Sequence, residues 1–193
     1  CLRCPPILAL SLLLTFAAPQ DGLADAPVGL TVVVVDVGQG NAAVLPVINQ
    51  LQPTGYGFTV ASHFHTDHLG GLDEVLTRPF QTALDRGDVN RPSNSSVNSY
   101  LTLAGARRQT ITVGTVYALG GGATMQCIAA NGFVAGGAFV NPTASAQEEN
   151  SRSIVLKVVY GDFSLWLGGD LTGGGNSTGD VEGPASLACG DVD

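Results

Sequence analysis

The sequence predicts a layered α/β fold, and three observations carry that expectation. Residues 31–37, TVVVVDV, form a continuous β-branched run stopped by Gly38, the pattern of a buried strand. Val44, Val47, Ile48 and Leu51 then fall at helical spacing, with Pro46 suited to a first turn. Late in the chain, residues 153–159 and 163–167 read as two strands joined by a Tyr160-Gly161-Asp162 hairpin turn. Strands in two groups with helices interspersed bury their apolar faces best as stacked layers.

The remaining elements follow in order. A second strand is expected to begin at 41–44, ahead of the helix at 44–51, which Pro53 and Gly55 stop. Residues 57–62 read as a strand leading into the histidines, and 72–76 as a short helix ending near Pro79. The stretch 85–96 is polar and turn-rich, and within it Arg86-Gly87-Asp88 reads as a loop turn. A helix is expected at 96–106, strands at 109–113 and 123–129, a long small-residue loop at 132–149, and a helix at 180–189 after the glycines 173–175. Arg107-Arg108 reads as a solvated helix end, with contact to an anionic substrate as the alternative. No internal repeat or coiled-coil heptad is present.

The chain has 193 residues, 45% apolar and 12% charged, which suits one domain with a true core and excludes a disordered acidic tail. Its net charge of -8 gives no electrostatic help in approaching nucleic acid or anionic lipid, although bound divalent cations would offset that locally. The N-terminal stretch resembles an export signal: Arg3 is basic, residues 7–18 are apolar, and Ala24-Asp25-Ala26 is a small-x-small cleavage pattern. Residues 1–26 are therefore expected to be a signal peptide and 27–193 a mature domain, exported by a bacterium to the periplasm or the medium. The apolar run is shorter than the ~20 residues of a membrane span, so no membrane attachment is expected of the mature form. The alternative is a buried segment of the fold. No Met opens the chain, which suggests a start further upstream. Cys127 and Cys189 remain in the mature part and could pair in an oxidising compartment, but two thiols so far apart in sequence argue weakly for it.

All three histidines lie within His63-Phe64-His65-Thr66-Asp67-His68. In an extended stretch, residues two apart point the same way, so His63, His65 and Asp67 should share a face, with His68 where the chain turns into Leu69-Gly70-Gly71. Imidazoles and a carboxylate converging at one point are the usual ligands of zinc, and tolerable ones for manganese or iron.

This segment resembles the signature of the metallo-β-lactamase superfamily. Asp36-Val37-Gly38-Gln39-Gly40-Asn41-Ala42 is similar to the DVGQG segment of the branch that includes the hydrolase domain of ComEC-type competence proteins. Asn150-Ser151-Arg152-Ser153, followed by two strands and Gly168-Gly169-Asp170, resembles that branch's N-x-S strand and metal-binding G-D. The resemblance spans most of the chain from Thr31 onward. It implies a metallo-β-lactamase-like αββα sandwich holding two divalent metal ions, with zinc expected and manganese or iron as alternatives. By the same resemblance His63 and His65 would bind the first ion, Asp67 and His68 the second, and Asp170 both. Asp67 would also be catalytic, orienting a metal-activated water. Asp36, Gly38 and Gly40 would shape the floor of the site, where glycine lets backbone pass close. The implied activity is hydrolysis of a phosphodiester, in a small molecule or in nucleic acid, since two ions can stabilise both attacking and leaving oxygens. The alternatives are a lactone, ester or β-lactam hydrolase, and a non-catalytic metal-binding remnant.

The sequence departs from that pattern in two places. The strand with an Asp-containing turn usual after the DVGQG segment is missing, since Ala43-Val44-Leu45 runs straight into Pro46. The competence-type branch also has a His-His-Gly-Ser segment beyond the region matching Gly190-Asp191-Val192-Asp193, and no histidine follows His68 here. The expectation is a domain incomplete at its C-terminus, lacking one ligand of the second metal.

Overall fold

The computed structural model describes residues 10–14, 32–36 and 56–192, with side chains described for 57–72 and 75–192. The chain is of the mixed α/β class, with strands in two main sheets and helices packed against them. Strand β1 (Leu10–Leu14) pairs antiparallel with β2 (Val32–Asp36), so part of the apolar run read as an export signal is placed as a strand beside the β-branched run. The elements expected at 41–44 and 44–51, together with Gly38 and Gly40, lie outside the described residues.

The first main sheet is parallel. Strand β3 (Tyr56–Val60) pairs with β4 (Phe80–Asp85), which pairs with β5 (Arg108–Thr110). Parallel neighbours need crossovers, and the helices supply them. The first crossover holds α1 (Thr66–Leu69) and α2 (Leu72–Leu76); the second holds α3 (Ser95–Ala104), followed by a 3-10 turn at Gly105–Arg107. Asn94 caps α3 by accepting from the Val97 amide at 3.0 Å, satisfying a donor that the first turn cannot pair internally. Phe64, Leu69, Val75 and Leu76 pack with Val97, Tyr100 and Ala104 of α3, and with Phe80 and Ala83, into one buried cluster over the helical side of this sheet.

The second sheet is antiparallel, in the order β10 (Phe163–Leu167), β9 (Val155–Tyr160), β7 (Ala123–Ala130), β6 (Val116–Gly120), with β8 (Phe133–Val134) on β7. Alternation along β9 sends Leu156 and Val158 toward the first sheet, where they meet Leu84, Ile111 and Met125, and sends Val155 to the opposite face. There it packs on α5 (Glu182–Cys189), against Ala185 and Cys189. A register shift between Cys127 and Ala129 bulges β7 and puts the consecutive residues Ile128 and Ala129 on that same outer face. The hairpin between β9 and β10 forms as expected, with Gly161 at φ +58° in its tight turn.

Two of the strands that the pattern misses have a clear physical reason. Residues Phe80–Asp85 alternate poorly, because β4 is central in its sheet and buried on both faces except at Gln81. Val116–Gly120 is an edge strand, largely exposed, so its apolar signal is weak. The loop expected at 132–149 contains β8, a 3-10 turn at Pro142–Ala144 and the start of α4 (Glu148–Ser151). Arg107, exposed in the last turn of the 3-10 helix, fits the solvated helix end, but Arg108 does not. The Arg107 guanidinium lies 3.9 Å over the Phe80 ring and donates to the Phe80 carbonyl, while Arg108 pairs with the fully buried Asp85 and with Asp88.

Cys127 and Cys189 are both buried free thiols, in different core clusters. Burial pushes the Cys127 thiol up from 9.0 to about 12. A raised thiol pKa keeps a proton that the unfolded chain releases. Its stabilising effect is therefore complete below the unfolded value of 9.0 and is lost as pH rises toward about 12. Urea unfolding should show stability falling by up to ~1.4 kcal/mol per pH unit above that value. Cys127→Ala should flatten this slope; an unchanged slope would mean the thiol ionises as readily folded as unfolded.

Candidate metal centre

The site lies past the C-terminal end of β3, where open α/β sheets place their ligand crevices. His63, three residues beyond the strand, is fully buried. Its Nδ1 faces two hydroxyls, Ser62 Oγ at 3.2 Å and Ser153 Oγ at 3.3 Å. In the tautomer whose Nδ1–H donates to these oxygens, the Nε2 lone pair is directed away from them, the arrangement by which an outer shell orients a ligating imidazole. Nε2 stands 3.2 Å from His65 Nδ1, and the ring of His68 lies 4.2 Å from that of His63, centroid to centroid.

The backbone does not stay extended through the motif. His65 is still extended (φ -72°, ψ 147°), but α1 begins at Thr66, and this corrects the shared face expected for His63, His65 and Asp67. The helical turn carries Asp67 outward, its side chain 49% exposed, and carries His68 inward, 6% exposed. Asp67 Oδ2 remains 3.8 Å from His68 Nε2.

Asp170 arrives from the other sheet, in the turn after β10. Gly169 precedes it at φ +56°, and a Cβ there would meet Ser62 Cβ and Ser153 Oγ at 3.1 Å. A side chain there would have to push its neighbours aside by a few tenths of an ångström and hold a left-handed backbone, both of which glycine avoids. The approach is reinforced by the Ile154 amide, which donates to the Ser62 carbonyl at 2.8 Å. One nitrogen each from His63 and His68 and one carboxylate oxygen from Asp170 thereby come within 4.8 Å of one another. Asp36 ends β2 and is described by its backbone alone.

Charge is arranged to match. Burial, aided by the neighbouring His68, lowers the His63 pKa from 6.5 to about 3, so its imidazole is neutral at physiological pH. Burial also works against charge on His68, but the carboxylates of Asp170 and Asp67 outweigh it and raise that pKa. His68 in turn holds Asp170 below the usual carboxylate range.

The fit to a cation can be tested on one atom. His68 Nε2 is buried and stands 3.2 Å from Asp170 Oδ2, yet it makes no hydrogen bond of acceptable geometry. The two groups stand as an ion pair whose direction falls short of a hydrogen bond, because direction as well as distance defines one. A buried nitrogen left beside a carboxylate, next to a second imidazole lone pair, is an N, N, O donor set that suits a divalent transition ion.

Beside His65 opens a cleft of ≈ 410 Å³, whose polar lining includes Asn90, Asn94, Glu148 and Glu149 and whose described lining has no lysine or arginine. Sequence reasoning missed Ser62, Ser153, Arg86 and Glu149 as neighbours of the motif. The Ser153 position was legible only through the N-x-S likeness.

No protein-family model matches the chain, and no curated protein matches it. Among the described residues no helix is long and apolar enough to cross a membrane.

Proposed function

We propose that this chain is a metal-dependent hydrolase of the metallo-β-lactamase type, with His63, His68 and Asp170 as core ligands. The carrying observation is the convergence of these three donors, from the end of a parallel sheet and the end of an antiparallel one. The layering of helices on one sheet, sheet on sheet, and α5 on the outer face is compatible with an αββα sandwich. His65 and Asp67 flank the triad; by the resemblance His65 would join His63 on the first ion and Asp67 would join His68 on the second. A bound divalent ion would supply Lewis-acid charge stabilisation and an activated water. The chain's own residues would do the rest: the Ser62 and Ser153 hydroxyls would orient His63, and Asp67, solvent-facing beside His68, would accept a proton and orient the attacking water.

Phosphodiesters are the favoured substrates on the competence-type resemblance. A second reading, hydrolysis of a neutral ester, lactone or β-lactam, is favoured by the cleft beside His65, whose carboxylates and amides offer a polyanion no counter-charge. Export to the periplasm or medium, proposed from the N-terminal pattern, would suit either. The test is turnover by chain loaded with zinc or manganese. Cleavage of bis(p-nitrophenyl) phosphate, lost in Asp170→Asn, is expected. Turnover of lactones or nitrocefin alone would select the second reading, and metal-loaded protein inert to all of them would sink both.

A further inference from the structure

We infer that Arg86 and Glu149 form a positioning clamp for the metal-binding loop, holding the His63 side chain in ligating geometry through its chain neighbour, Phe64. The inference rests on the metal reading proposed above.

The clamp gathers three segments distant in sequence: the loop after β3, the end of β4, and α4. Glu149 Oε1 accepts from the Phe64 amide at 2.7 Å and from Arg86 Nε at 2.8 Å. Its other oxygen accepts from Arg86 Nη2 at 2.5 Å, completing a bidentate fork. The guanidinium also lies 4.6 Å over the Phe64 ring, so both the backbone and the side chain of that residue are gripped. Arg86 is itself immobilised. It is fully buried, its Nη1 donates to the Val89 carbonyl at 2.7 Å and to Asn131 Oδ1 at 3.3 Å, and the Asn131 amide donates back to the Arg86 carbonyl.

A buried ion pair is a poor way to gain stability, because the desolvation of both charges offsets most of their attraction. What a fork of fixed geometry does supply is direction. Here the direction is given to the peptide unit that joins His63 to Phe64, as hydrogen-bonded outer partners do for ligating histidines in general. Arginine suits the task better than lysine, since its planar donors fix orientation as well as charge.

The test compares wild type, Glu149→Gln, the apolar double variant Arg86→Met/Glu149→Met, and Tyr100→Phe. The last removes only the hydroxyl that donates to buried Asp85 at 2.8 Å, keeps the ring that packs beside Phe64 and every clamp contact, and controls for lost stability. Three quantities are read: zinc affinity by competition with a chromophoric chelator, the visible spectrum of the cobalt-substituted form, and the melting temperature of the metal-free form. Glu149→Gln is expected to weaken zinc binding by roughly 10–100-fold and to alter the cobalt spectrum. The double variant should bind zinc as weakly while melting close to wild type, and it carries the test if the single variant does not fold. Tyr100→Phe should melt lower with affinity and spectrum unchanged. Wild-type zinc affinity and cobalt spectrum in both clamp variants would overturn the inference while leaving the metal reading intact. Wild-type protein that binds neither ion would instead overturn the metal reading and remove the clamp's purpose with it.

Discussion

His63→Ala should abolish stoichiometric zinc binding. The imidazole is fully buried, kept neutral by its surroundings, and aimed by the Ser62 and Ser153 hydroxyls at a point shared with His68 and Asp170. Loss of an outer partner typically costs a site 10–100-fold in affinity, so loss of a central ligand should exceed ~100-fold. Isothermal titration with zinc, backed by metal content after dialysis, reads this directly. Wild-type binding should also strengthen with rising pH, because His68 holds its proton to a higher pH than a free imidazole and must release it to ligate. A variant that binds zinc as tightly as wild type would show that the three donors do not form the site.

Arg108→Met should lower stability by about 3 kcal/mol without touching the metal centre. Asp85 is fully buried at the end of β4, and its carboxylate accepts from Arg108 Nε at 2.6 Å, from Arg108 Nη2 at 3.1 Å, from the Tyr100 hydroxyl at 2.8 Å and from the Gly87 amide at 2.7 Å. Taking away the cation leaves a buried charge uncompensated, which costs roughly 3–5 kcal/mol. The lower end applies because Arg108 is 19% exposed and water can enter in its place. For a chain of this size the melting temperature should fall by roughly 6–12 °C, and Asp85→Asn added to Arg108→Met should recover part of the loss. A change within ~0.5 kcal/mol would place Arg108 among ordinary surface residues.

How far these features could be read in advance depended on whether their cause was local. The 72–76 helix, the β9–β10 hairpin and the 180–189 helix were legible because spacing and a glycine turn declare them within a few residues. Strand β4 was not, since burial on both faces erases the alternation that marks a strand. Arg86 and Arg108 were read as loop and helix-end residues, because nothing in their neighbourhoods announces Glu149 or Asp85 as partners.

The same division runs through the candidate centre. The sequence by itself determined the chemistry: three histidines and a carboxylate packed into six residues, and a Gly-Asp pair placed after a strand hairpin. Only the tertiary structure decided which of them meet. The turn into helix at Thr66 directs His68 inward and Asp67 outward, and Gly169, lacking a side chain, lets Asp170 reach across from the second sheet. Ligand type is a property of residues, whereas ligand geometry depends on where two sheets and a helical turn come to rest against one another.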